Sequence, residues 1–185
     1  MIIMAKLFTS KLLLTSNTDL LFYLKQHQHL YKLIRNGKYI INYDRLDTLQ
    51  NRFSDNSKYA IIINTLHSST PPDTTGHWAV LLLEINKHSR ICMFVDSLAN
   101  GFKQHKDLAS KLTLFCNVHK LDLHLWKTRT QKSKSSNCGF QIVFFLFHFY
   151  KHGIKGMYRL QSMLQQYSLL TKEYYVLKRA YKICT

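Results

Sequence analysis

At a single cysteine in the C-terminal third of the chain, a polar loop turns into an apolar run. Thr130-Gln131-Lys132-Ser133-Lys134-Ser135-Ser136-Asn137-Cys138-Gly139-Phe140 passes directly into Gln141-Ile142-Val143-Phe144-Phe145-Leu146-Phe147. The serines and the asparagine compete for their own backbone hydrogen bonds and favour turns, whereas a helix that is apolar on every face has to be buried. Any fold of this chain must enclose that helix and leave the loop at its mouth. Cys138 falls on the junction, where free backbone N–H groups and the positive end of the helix dipole favour the thiolate, the nucleophilic form of cysteine. It is the candidate nucleophile.

Enclosing such a helix takes a core of some size, and 185 residues with 46% hydrophobic content supply one. Only 2 prolines and 6 glycines argue against a long linker, so residues 1–185 read as a single domain, and as a monomer. The longest uninterrupted apolar run, Ile142 to Phe147, is far short of the roughly 20 residues of a membrane span. Met1-Ile2-Ile3-Met4-Ala5-Lys6 is too short for a signal peptide, and a soluble, unprocessed chain with no membrane partner is expected. The 4 cysteines show no close pairing and no CxxC, which suggests neither a disulfide scaffold nor a thiolate-rich zinc site and points to a reducing compartment.

Charge is the other departure from an average domain. Lys and Arg number 26 against 10 Asp and Glu, a formal charge of +16. Such a field attracts polyanions. The basic residues are spread along the chain, as in Lys103-Lys106-Lys111 and Lys172-Lys178-Arg179-Lys182, rather than gathered in a tail. They fit either a surface kept soluble by charge or non-specific nucleic-acid binding by counterion release.

Taken in order, Thr18 to Arg35 reads as one helix, with Leu20, Leu21, Leu24, Leu30, Tyr31 and Ile34 apolar and Gly37 just beyond it. Tyr39 to Asn56 is mixed and polar, with short helical turns at most. Tyr59 to Asn64 has the β-branched run of a buried strand, and Ser68 to Gly76 is a loop. His77 to Ile85 and Ile91 to Asp96 are two more strands joined by turn residues Asn86-Lys87-His88-Ser89, a hairpin. Asp107 to Asn117 is an amphipathic helix and Leu121 to Trp126 an alternating strand. After the apolar helix the chain breaks at Gly153, and helical patterns follow near Tyr158 to Tyr167 and Lys172 to Lys182.

The hairpin carries chemistry because it brings its two outer ends together. His77 opens the first strand and Asp96 closes the second, so even a register slip of one or two residues leaves them neighbours or diagonal neighbours. A thiol nucleophile needs a base, a group that orients the base, and donors for the oxyanion formed at an attacked carbonyl. His77 is the candidate base and Asp96 the orienting acid. Gln131, 138 − 131 = 7 residues before the cysteine, could aim its amide at the oxyanion beside the Cys138 N–H. The chemistry would be acyl transfer. Read singly, each residue has a plainer place: a core thiol, a surface histidine, a strand-end turn former, a solvated loop residue. His148 and His152 have the spacing of a helical metal pair but lack the glutamate of HExxH and a third ligand, so no metal is expected.

Ile61-Ile62-Ile63-Asn64-Thr65, Gly76-His77-Trp78, Phe94-Val95-Asp96-Ser97, Gln131 and Ser136-Asn137-Cys138-Gly139-Phe140 together resemble the adenovirus-type cysteine proteases, the adenain family, and their relatives in adenovirus-like viruses and large DNA transposons. The likeness spans about residues 58 to 150. It implies an α+β fold, papain-like and adenain-like, with a central mostly antiparallel sheet packed by helices and the nucleophile at the N-terminus of a buried helix. It implies a cysteine endopeptidase that cleaves viral precursor proteins of the capsid or core during virion maturation, in the virion and the host nucleus. His77, Asp96, Gln131 and Cys138 would be catalytic, and Gly76, Trp78 and Asn137 would line the substrate. The same resemblance implies activation by DNA and by a viral peptide, bound non-covalently or through a disulfide, for which Cys116 is the nearest upstream cysteine. The acid is Asp96 where adenain carries Glu, and both can accept a hydrogen bond from imidazole. Two other readings compete: a ubiquitin-like-protein (SUMO-type) peptidase of the same superfamily, which shares the His-Trp, Asp, Gln, Cys order, and a basic DNA-binding protein that keeps a dead protease fold.

Overall fold

Tyr59 to Ile63 and Trp78 to Leu83 are buried at every position rather than alternately, as strands covered on both faces must be. The computed structural model describes residues 17–49, 53–71, 76–99, 106–133 and 135–184, and these two runs form the middle of its sheet. Five strands lie in the order β1-β2-β3-β4-β5: β1 (Ile40–Asn42), β2 (Ser57–Asn64), β3 (Trp78–Ile85), β4 (Arg90–Asp96) and β5 (Asp122–Leu125). The long central pairings, β2 with β3 and β3 with β4, are antiparallel, and the short edge pairings are parallel. Parallel neighbours need crossovers. Helix α3 (Lys106–Val118) supplies the one from β4 to β5, and a 3₁₀ segment, Tyr43–Thr48, starts the one from β1 to β2.

Helices cover both faces. Leu83 pairs with Cys92 and Glu84 with Ile91, and successive side chains on a strand point to opposite faces. Cys92 meets Cys116 of α3 on one face. Glu84 on the other face accepts a hydrogen bond at 2.6 Å from the Ile154 N–H of α4 (Cys138–Gln165). The fold is α+β, with the apolar run enclosed: Ile142, Val143, Phe145, Leu146 and Phe149 are fully buried in α4. No helix among the described residues is long and apolar enough to cross a membrane.

Where the elements differ from expectation, the local reasons are visible. Thr18 to Arg35 is two helices, α1 (Asn17–Gln26) and α2 (Gln28–Leu33), broken at His27 with φ −113° and ψ 83°. The six-residue step from Leu24 to Leu30 would turn the apolar face by about 240° in an unbroken helix, so the break brings both leucines into the core. β1 was not foreseen in the polar stretch after Tyr39. It is three residues long and only half buried, too short to show a period. Gly153 breaks α4 as expected, at φ 61° and ψ −166°, but the next turn starts at once at Ile154 because Glu84 caps it. The last helix, α5 (Leu169–Cys184), runs a few residues beyond the predicted one at each end.

Candidate active site

The β3–β4 register decides where the acid and the histidine meet. Asp96 stands opposite Ala79, two residues into the strand from His77, so the Asp96 and His77 side chains are diagonal neighbours. His77 Nε2 lies 2.6 Å from Asp96 Oδ1. The same carboxylate oxygen accepts the Leu98 N–H at 2.9 Å, which fixes it at the strand end. On the other side, His77 is tied to the end of β2: its carbonyl accepts the Thr65 N–H at 2.9 Å, and its N–H donates to Thr65 Oγ1 at 3.2 Å. Gly76 makes that approach possible, since a Cβ there would fall 2.2 Å from Asn64 Oδ1 and 2.8 Å from Leu66 Cγ.

Cys138 is the first residue of α4 and is 6% exposed. Its sulfur and the His77 ring share a hydrogen bond. With Nε2 held by Asp96, Nδ1 is the nitrogen left to face the thiol. Burial pulls the imidazolium pKa down, but the hydrogen bonds with Asp96 and Cys138 and the charges of both outweigh it, and the value rises from 6.5 to about 9. Burial pushes the Cys138 thiol up, yet the hydrogen bond and charge of His77, then the backbone N–H groups of Trp78 and Gly139, bring it below its ordinary value. Both shifts favour one state, a thiolate beside an imidazolium.

Gln131 is buried, with a hydrogen bond at each end of its side-chain amide. Its Oε1 accepts from Ser97 Oγ and its Nε2 donates to the Ser135 carbonyl, each at 2.5 Å. Its own N–H and that of Thr130 both donate to the Ser97 carbonyl, at 3.0 and 2.8 Å. The amide therefore stands in the loop that leads to Cys138, and its Nε2 carries a second N–H besides the one given to Ser135. Trp78 is 1% exposed, so it offers the site its backbone N–H and not a ring surface for substrate. Asn137, at the N-cap position, turns its side chain inward and accepts from Gln141 Nε2 at 3.1 Å. Cys116 is 2% exposed and hydrogen-bonded with Cys92, so a peptide disulfide there would require this packing to open.

Sequence reasoning missed three members of the site's framework. Ser97 holds Gln131; Thr130 Oγ1 donates to Gln141 Oε1 at 2.6 Å; and Gln141 Nε2 donates back to the Thr130 carbonyl at 3.2 Å. Gln141 and Ser97 are fully buried. The signal for Gln141 was its place: a lone amide at the head of an otherwise apolar helix has to find partners.

No family model matches the sequence, and no curated protein matches it. Among solved structures the fold is similar to HopZ1a in complex with IP6, with a TM-score of 0.48 and 10% identity, covering 83% of this chain and 51% of that one. HopZ1a in complex with IP6 and CoA gives a TM-score of 0.49 and 11% identity over 85% of this chain and 49% of that one. The ASFV pS273R protease gives a TM-score of 0.38 and 15% identity over 78% and 66%. The chain spans about half the length of HopZ1a. These are distant likenesses of fold.

Proposed function

We propose that this protein is a cysteine endopeptidase that works by thiolate acyl transfer. The observation that carries the reading is the continuous hydrogen-bonded series Cys138–His77–Asp96, with the thiol pKa lowered and the imidazole pKa raised. The Cys138 thiolate attacks the scissile carbonyl and a tetrahedral oxyanion forms. The N–H of Cys138 and the Gln131 side-chain amide are the donors for it. His77 then gives its proton to the leaving amine, and as base it activates the water that hydrolyses the thioester. Asp96 holds the ring in the tautomer and orientation that this requires.

The substrate class we propose is viral precursor proteins of the capsid or core, cleaved during virion maturation, with DNA and a viral peptide as activators in the virion and the host nucleus. The support is the likeness of the catalytic stretches to the adenain family and, for DNA, the charge of +16. Labelling the purified protein with iodoacetamide, with and without Cys138→Ala, tests the catalytic reading. Cys138 should react fast and in dependence on His77, and slow, equal labelling of all cysteines would refute it. Offering precursor peptides with glycine-rich sites beside a SUMO-type substrate tests the substrate class, and cleavage of only the latter would overturn it.

A further inference from the structure

α5 is a basic helix, with Lys172, Lys178, Arg179 and Lys182 against a single acid, Glu173. A lone carboxylate on such a helix would be expected in water. Glu173 is instead 7% exposed, and a charge taken out of water is costly unless donors meet it. The donors come from the stretch that joins Gln131 to Cys138. Glu173 Oε1 accepts the Lys132 N–H at 3.1 Å and Asn137 Nδ2 at 3.2 Å, and the half-exposed Lys132 Nζ lies 3.9 Å from Oε2. Lys132 directly follows Gln131, and Asn137 directly precedes Cys138. One carboxylate therefore ties together both ends of the stretch. It also closes a series, Thr130–Gln141–Asn137–Glu173, buried at its Thr130 end and partly buried beyond, that fastens the stretch to α4 and α5.

The two halves of the site depend on this stretch unequally. The thiolate is set by His77, the Trp78 N–H and the Gly139 N–H, none of which Glu173 touches. The oxyanion donors, the Gln131 side chain and the Cys138 N–H, sit at the ends that Glu173 holds. We propose that Glu173 is a positioning residue for oxyanion stabilisation, acting from α5 through Lys132 and Asn137; the assignment rests on the acyl-transfer reading above. The C-terminal helix, which bears no resemblance to the adenain pattern, would then be part of the catalytic framework.

Two reactions of Cys138 separate this role from a structural one. With p-nitrophenyl acetate, the thiolate electron pair forms an S–C bond, the carbonyl passes through an oxyanion, and p-nitrophenolate leaves with the C–O pair; water then hydrolyses the acetyl thioester to acetate and the thiol. With iodoacetamide, the thiolate displaces iodide and no oxyanion forms. In Glu173→Leu the p-nitrophenolate burst should slow by about tenfold or more, while alkylation of Cys138 stays at the unsubstituted rate. Glu173→Gln, which keeps the acceptor oxygen, should restore the burst. If Glu173→Leu does not fold by circular dichroism, Glu173→Asp decides: it retracts the carboxylate by one methylene, and it too should slow acylation and spare alkylation. Acylation at the unsubstituted rate in Glu173→Leu and Glu173→Asp, or acylation and alkylation falling together in them, overturns the proposal. Failure of the acyl-transfer reading itself looks different, because Cys138 of the unsubstituted protein would then show neither a burst nor faster alkylation than Cys92 and Cys116.

Discussion

Asp96 stands across the ladder from Ala79, and its carboxylate meets His77 on the diagonal at 2.6 Å. Because the pair is held by backbone register, replacing the charge should leave the placement largely intact. In Asp96→Asn the share of the His77 shift that comes from the Asp96 hydrogen bond and charge is lost while that of Cys138 remains, so the imidazole pKa falls from about 9. Peptide hydrolysis at neutral pH should drop by about a hundredfold or more. The check is kcat/KM together with the iodoacetamide rate of Cys138, which should fall with it because the imidazolium that lowers the thiol is less favoured.

The pH dependence follows from the same two shifts. The thiolate fraction rises with pH through a Cys138 pKa that lies below 9.0, and the imidazolium is lost as pH passes about 9. Hydrolysis needs both, so its profile should be bell-shaped and decline above about 9. Alkylation needs only the thiolate, so it should rise and then level off without declining. His77→Ala should move the alkylation limb upward, toward or above the ordinary thiol. A limb that stays in place would show that His77 does not set the thiolate.

Much of this arrangement could be read from the chain, and the parts that could not share a physical reason. The hairpin turn was legible because Asn86 makes it locally: its Oδ1 accepts the N–H groups of His88 and Ser89, and its own N–H bonds the Ser89 carbonyl. The turn is centred between Lys87 and His88, one step from the midpoint of His77 and Asp96, and that step gives the diagonal meeting in place of a direct pair. Cys138 was legible from the change of composition at Asn137. Glu173 was not, because its partners lie 36 and 41 residues away and one of them is a backbone N–H, which leaves no pattern in sequence; Gln141 stood out as a lone amide in an apolar helix, but its Thr130 partner, 11 residues away, did not. The break at His27 was legible in principle, in the six-residue step between Leu24 and Leu30.

Gln131→Glu tests the loop directly. The change keeps the Oε1 that accepts from Ser97 but sets a carboxylate oxygen against the Ser135 carbonyl, where an N–H now donates at 2.5 Å. A buried acceptor without a donor costs about 1–3 kcal/mol, so the denaturation midpoint should fall. The rate of hydrolysis should fall by about a hundredfold, the scale of losing one oxyanion donor. The Cys138 alkylation rate should change far less, since Gln131 is not among the groups that lower the thiol.

The surface charge makes a prediction independent of the site. With +16 formal charges, the protein should be retained on a duplex DNA column at low salt and elute over a narrow range as salt rises, by release of condensed counterions. Scrambling the DNA sequence should not change the elution point. Failure to bind at low salt, or retention that ignores salt, would count against DNA as an activator.

Gly153 and Glu84 form a capped break in α4 whose energetics can be separated. Gly153 takes φ 61° and ψ −166°, a conformation nearly closed to other residues, and a Cβ there would lie 2.4 Å from Glu84 Oε2. That oxygen is the acceptor for the Ile154 N–H at 2.6 Å. Gly153→Ala should therefore cost both backbone strain and the cap, roughly 3 kcal/mol in all, read from chemical denaturation. Glu84→Ala alone loses the cap but relieves no strain. In the double variant the methyl group has room, so the two costs should sum to more than the measured loss. Strict additivity would mean that the strain lies in the backbone alone and that Glu84 does not constrain it. In either outcome Cys138 should alkylate normally, because it sits at the start of α4, on the far side of the break.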